Sequence, residues 1–131
     1  MNKLSNLDVN ELVYIMHEYL DFTSLLRREN LSEAFIEEFQ NEVDWDYISE
    51  YQVLSEDFMR KFKDKIDWGI ISYSQKLSES FIEEFQNQVD WFEIIEYQDI
   101  SNEFIEKMKE KIQTHLWIGM DRYGYIYIYS F

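Results

Sequence analysis

Cysteine and proline are absent from this chain of 131 residues, which also has only three glycines and two histidines. Without cysteine there can be no disulfide, no thiol nucleophile and no thiolate-held zinc or iron–sulfur centre, a composition that fits a reducing cytosol. The two imidazoles, His17 and His115, stand near opposite ends of the chain, so a catalytic or metal site shared between them is not expected. Phosphate-cradling glycine loops, zinc-protease, nucleophile-elbow and calcium-loop spacings are all missing. Long apolar runs are missing too: no segment can span a bilayer, and the opening MNKLSNLDVNEL has no apolar stretch of the signal-peptide kind. The expectation is a cytoplasmic, cofactor-free protein that is not an enzyme. Positive charge is scarce as well. Twelve Lys and Arg stand against 27 Asp and Glu, a net charge of -15, which argues against direct binding to a nucleic-acid backbone and favours basic partners.

With 46% hydrophobic and 18% aromatic residues, the chain carries enough apolar surface to fold, and its length suits one domain over 1–131. The phrase FIEEFQNEVDW, Phe35 to Trp45, returns as FIEEFQNQVDW, Phe81 to Trp91, two periods of a 23-residue repeat apart. Leu31-Ser32-Glu33, Leu54-Ser55-Glu56, Leu77-Ser78-Glu79 and Ile100-Ser101-Asn102 mark the phase. Residues 8–30 hold a degenerate earlier copy, in which Leu12, Val13, Met16, Leu20 and Asp21-Phe22 fall on the repeat positions. The units are then 8–30, 31–53, 54–76, 77–99 and 100–115, the drift at both ends suiting terminal repeats.

Each unit reads as two short helices. Ser32 and its equivalents are N-caps, followed by a glutamate at the positive end of the helix dipole, and Leu31 with Ile36 makes a hydrophobic staple. Phe35, Ile36, Phe39 and Val43 form one apolar stripe of a helix of about nine residues. Asp44, Asp67 and Asp90 cap the second helices, Trp45, Trp68 and Trp91 are core between units, and Gln52, Gln75 and Gln98 are expected to bond backbone in the adjoining turn. Such helices are unstable alone, so the fold expected is mainly α: a short α-solenoid of about five 23-residue two-helix repeats. Residues 116–131, with the alternating run Tyr125 to Tyr129, are expected to form a C-terminal β-hairpin cap on the open end. Its exposed edge, carrying Tyr125, Tyr127 and Tyr129, would serve a homodimer.

The acids are unevenly placed. Units 31–53 and 77–99 each carry seven acids and no base, whereas 54–76 carries Arg60, Lys61, Lys63 and Lys65 on its first half. Stacking should set Glu37 and Glu38 beside Arg60 and Lys61, with Glu83 and Glu84 on the far side. The alternation cannot absorb the whole surplus. Within the repeated phrase Glu37, Glu38, Glu83 and Glu84 are the residues left free to act, and on the second helices Asp46, Glu50, Glu93 and Glu96 lack basic counterparts. Tyr47, Tyr51 and Tyr97 lie among them, tyrosine being enriched at interfaces.

The unit L-S-E-x-F-I-x-x-F-x-x-x-V-D-W-x-x-I-S-x-x-Q, as it stands from Leu31 to Gln52, resembles a short helical repeat of bacteriophage and large-DNA-virus proteins of uncertain function. The resemblance covers residues 8 to 112, carries no active site, and implies a viral origin and a place in the host cytoplasm. Together these point to an acidic interaction protein for a basic host protein, a nucleic-acid-mimicking inhibitor of a defence nuclease. The alternative is a scaffold or oligomerisation module working through the hairpin edge.

Overall fold

The computed structural model describes residues 30–120, 122–123 and 126–130, with side chains over 30–114 and 122–123. The unit expected at 8–30, with His17, lies outside these residues. Eight helices occur among those described: α1 Glu33–Glu38, α2 Trp45–Tyr51, α3 Glu56–Lys61, α4 Trp68–Ser74, α5 Glu79–Glu84, α6 Trp91–Tyr97, α7 Asn102–Lys107 and α8 Lys109–His115. Two short strands follow, β1 Leu116–Met120 and β2 Ile126–Ser130, antiparallel with Leu116 opposite Ser130.

Each helix begins where its cap begins it. Ser32, Ser55, Ser78 and Ser101 hold extended backbone, and each Oγ accepts the N–H three residues on, at 3.1 Å in every copy. Asp44 accepts from the N–H groups of Asp46 and Tyr47, Asp67 from Ile70, and Asp90 from Phe92 and Glu93. The helices are shorter than the expected nine residues, at six for the first of each unit and seven for the second. The stripe through Phe39 to Val43 is not one continuous helix. Phe39, at φ -102° and ψ 26°, ends α1, and one further turn closes with the Val43 N–H on the Phe39 carbonyl. The carbonyls left over at this break find side chains: the Gln40 amide donates to the Glu37 carbonyl, and the Trp45 indole donates to that of Gln40 at 2.9 Å. Trp68 and Trp91 repeat the indole bond to Lys63 and Gln86.

The core is a column. Ile36, Met59 and Ile82 on the first helices, and Ile48, Ile71 and Ile94 on the second, are fully buried, one pair per unit, each worth about 1.5–3 kcal/mol over exposure. Each tryptophan lies on the phenylalanines of the next unit: Trp45 on Phe62 at 5.4 Å, Trp68 on Phe85 at 4.8 Å and Trp91 on Phe104 at 6.4 Å between ring centroids. The tryptophan ladder is thus internal.

The fold expectation needs correction at the carboxyl end, where the β-hairpin cap is not seen. Its two strands pair with each other, and the β2 backbone runs beside α6. Ile105, equivalent to the fully buried Ile36, Met59 and Ile82, is only half-buried, and Ile100 likewise. The outer face of the last unit therefore remains partly open at α7, where a cap would have sealed both residues. The reason lies in the last unit's own sequence. Lacking an Asp-Trp cap after Ile112, it runs almost directly from α7 into α8 and delivers the strands beside α6 instead of over α7.

Candidate protein-binding face

The two kinds of helix are joined across units by different chemistry. Second helices pack directly, α2 on α4 and α4 on α6. Ser49 and Ser72, fully buried, make the approach close: Ser49 Oγ accepts from the Asp67 N–H at 3.1 Å and Ser72 Oγ from the Asp90 N–H at 2.9 Å. The glutamines complete the seam. Gln75 Oε1 accepts from the Leu54 N–H, while its amide donates to the carbonyls of Ser49 and Gln52 at 2.9 and 2.6 Å. Gln98 does the same one unit on, with Leu77, Ser72 and Gln75. The backbone role expected for these amides is what the bonds describe.

First helices are joined by charged groups at the surface. Glu33, Glu56 and Glu79 each take the backbone N–H and the hydroxyl of the next unit's capping serine, Ser55, Ser78 and Ser101, the N–H bond being 2.7 Å each time. Ion pairs recur one unit plus one residue apart: Lys61 with Glu37, Arg60 with Glu84 at 2.8 Å, and Lys107 with Glu83 at 2.8 Å. Arg60 grips Glu84 through both Nε and Nη2, and its Nη1 holds Asp57 at 2.7 Å. The hydrogen bond from Arg60, more than its charge, holds the Glu84 carboxyl below its ordinary range.

The expectation that Glu37, Glu38, Glu83 and Glu84 stand free is therefore corrected. Three of the four are already paired with cations of neighbouring units, because the offset of 24 residues turns Lys61 back toward Glu37 and Arg60 forward toward Glu84. Glu38 is exposed, with no cation within pairing distance among the described residues.

On the second helices the position differs. Residues 44–53, 67–76 and 90–99 contain eight acids and one base, the exposed Lys76 just past the end of α4. Asp44, Asp67 and Asp90 are caps, leaving Asp46, Glu50, Glu93, Glu96 and Asp99. Asp46 and Glu96 are exposed. Glu93 is half-buried, and desolvation, then the charges of Asp90 and Glu96, push its carboxyl above the ordinary range. Aromatic rings lie among the acids. Tyr47 stacks on Tyr51 at 5.8 Å, and Tyr73 meets Tyr97 at 6.1 Å while its hydroxyl faces Glu50 at 3.4 Å. Burial, followed by the charge of Glu50, raises the Tyr73 phenol.

Tyr73 and Phe92 are the members of this face that sequence reasoning did not select. Tyr73 stands 23 residues after Glu50 in the repeat and was there to be read. Of the expected dimer edge, Tyr125 lies outside the described residues, and Tyr127 and Tyr129 lie in β2, where the backbone alone is described. No helix among the described residues is long and apolar enough to cross a membrane. In comparisons with known proteins, no family model matches the chain, and neither does any curated protein or solved structure.

Proposed function

We propose that this chain is a non-enzymatic, virus-encoded interaction protein whose second-helix face binds a basic surface of a host protein. Its carboxylates would stand where phosphates would in the groove of a defence nuclease. One observation carries the reading. The second helices present Asp46, Glu50, Glu93 and Glu96 among exposed aromatics with no cation on the same elements, whereas Glu37, Glu83 and Glu84 of the first helices are paired with cations of neighbouring units. Carboxylates with no cation to give up, held on short helices pinned by buried amides, lose little on meeting a cationic surface. The viral origin rests on the repeat resemblance over residues 8 to 112.

The test is binding to a panel of basic nucleases, with salt raised from about 50 to 500 mM to shorten the screening length. Affinity is expected to fall steeply with salt. Replacing Glu50, Glu93 and Glu96 together by glutamine is expected to weaken binding at least about tenfold, since each lost charge contact at an interface is worth a sizeable part of that factor. Replacing Glu37 and Glu83 by glutamine should weaken it far less. Salt-insensitive binding, or full affinity in the triple variant, overturns the proposal.

A further inference from the structure

The first helices are stacked under one rule of sign. At each seam a charged residue late in one first helix pairs with the residue 24 on in the next unit, and the charges are opposite each time: Glu37 with Lys61, Arg60 with Glu84 and Glu83 with Lys107. Two contacts accompany every pair. A glutamate of the covered unit holds the capping serine of the covering helix, Glu33 on Ser55, Glu56 on Ser78 and Glu79 on Ser101. The apolar residue just before the pair, Ile36, Met59 or Ile82, is sealed completely, at 0% exposure. Each unit thereby specifies the helix that covers it: a serine cap and, six residues later, a charge opposite to its own.

Unit 100–115 presents the same three positions on α7 without a covering helix of this kind among the described residues. Ile105 is only half-buried, Glu106 is exposed with no cation within pairing distance among those residues, and Asn102 stands exposed at the clamp position, where its amide oxygen can accept a cap N–H. We infer that this face of α7 docks a helix of a partner protein with the covering pattern: a serine N-cap, apolar residues three, four and seven places on, and a lysine or arginine six places on, opposite Glu106. Continuity with three seams of one design sets the shape of the occupant, and the rule of sign sets its charge. A second copy of this chain suits the face less well. In its unit 8–30 the position that must carry the cation is Ile15, and the helices that do carry one there, α3 and α7, already cover units of their own stack. This surface is separate from the second-helix face, and the inference does not depend on what that face binds.

The probe is a labelled peptide with the sequence of residues 54–66, which holds Ser55, Phe58, Met59, Lys61 and Phe62 in the required places. Its control exchanges two residues, Lys61→Asp with Asp64→Lys, so that composition and net charge are unchanged. Fluorescence anisotropy against the full chain, at about 50 mM salt to limit screening, is expected to show the first peptide bound about fivefold more tightly, the scale of one exposed ion pair set against a like-charge contact. Glu106→Lys should invert that preference. Ile105→Ser should weaken both peptides alike, by about fivefold, for the lost apolar cover. Both substitutions lie on exposed or half-exposed positions, and melting temperatures close to wild type confirm that the stack is intact. Equal affinity for the two peptides, a preference that survives Glu106→Lys, or no binding up to about 1 mM peptide overturns the inference. Self-association of the chain in sedimentation that Ile105→Ser abolishes, with neither peptide bound, overturns it in favour of a second copy.

Discussion

The first and second helices of each unit share one core and one period, yet they are joined to their neighbours in opposite ways. The second-helix seam is made chiefly of buried hydroxyls and amides bonded to backbone, Ser49, Ser72, Gln75 and Gln98, with a long surface contact from the Tyr73 hydroxyl to the Glu50 carboxylate. The first-helix seam is made of exposed carboxylates, lysines and an arginine. The difference shows how a strongly acidic chain can be both a stable stack and a charged surface. Neutral groups hold the second helices together at close range, so their acids are not needed for assembly, while the first helices spend theirs on the neighbouring units.

If that division is right, the most damaging single polar change lies on the second-helix seam. Gln75→Leu keeps the volume and removes three bonds; the Ser49 carbonyl keeps the Ser74 hydroxyl, while the Leu54 N–H and the Gln52 carbonyl lose the Gln75 amide. At about 1–3 kcal/mol for each buried group left unsatisfied, a loss of roughly 2 kcal/mol or more is expected. The urea midpoint measures it. A midpoint within error of wild type would mean that the amide ladder is ornament and that apolar stacking alone sets the stability.

A smaller effect belongs to the clamps on the other seam. Glu56→Gln retains one acceptor oxygen for Ser78 and loses the charge-assisted pair, which now spans 2.7 Å to its N–H and 2.8 Å to its Oγ. A cost of about 1 kcal/mol is expected for this partly exposed site, and it should shrink as salt rises. The unit 100–115 has Asn102 where units 31–53, 54–76 and 77–99 have Glu33, Glu56 and Glu79. A salt-independent loss in Glu56→Gln would place the contribution in packing instead of charge.

Much of this was legible from the letters. The period assigned caps, the tryptophan ladder and the glutamine role correctly, because each depends on residues within one unit or on simple adjacency. Contacts that depend on how far one unit is rotated against the next were not. Glu33, Glu56 and Glu79 read as dipole partners of their own helices, and their grip on the next unit's serine could not be seen without that offset. The period did set Glu37 beside Arg60 and Lys61 with Glu84 on the far side, but the spacing of 24, one beyond the repeat, that pairs Lys61 with Glu37 and Arg60 with Glu84 could not be read from it. The expected cap failed for a related reason: β-propensity in Tyr125 to Tyr129 says that strands form, and nothing about which face of the stack they meet. On the second helices Glu50, Tyr51, Glu96 and Tyr97 were chosen from the absence of nearby bases, which the sequence does display.

The finest way to separate the two seams is by pH. Glu84 is held below the usual carboxylate range by the hydrogen bond from Arg60, so it contributes stability that is present above the unfolded value, about 4.3, and is lost as pH falls through its lowered folded value. Glu93 runs the other way. Desolvation and the nearby Asp90 and Glu96 raise its folded value, so its ionisation is a penalty that builds as pH rises past the unfolded value and is complete above the raised one. The α6 dipole would favour a charge at Glu93, but Asp90 already takes the Phe92 and Glu93 N–H groups at the helix start. Melting temperatures followed from pH 7 to about pH 3, across the carboxylate range, should therefore show Glu84→Gln below wild type and Glu93→Gln slightly above it at neutrality. The two differences, opposite in sign, should close as the acid limb is reached. A Glu93→Gln variant that melts below wild type at pH 7 would mean that this carboxylate is held by something in the fold, and the second-helix face would then have no claim to carry acids kept for a partner.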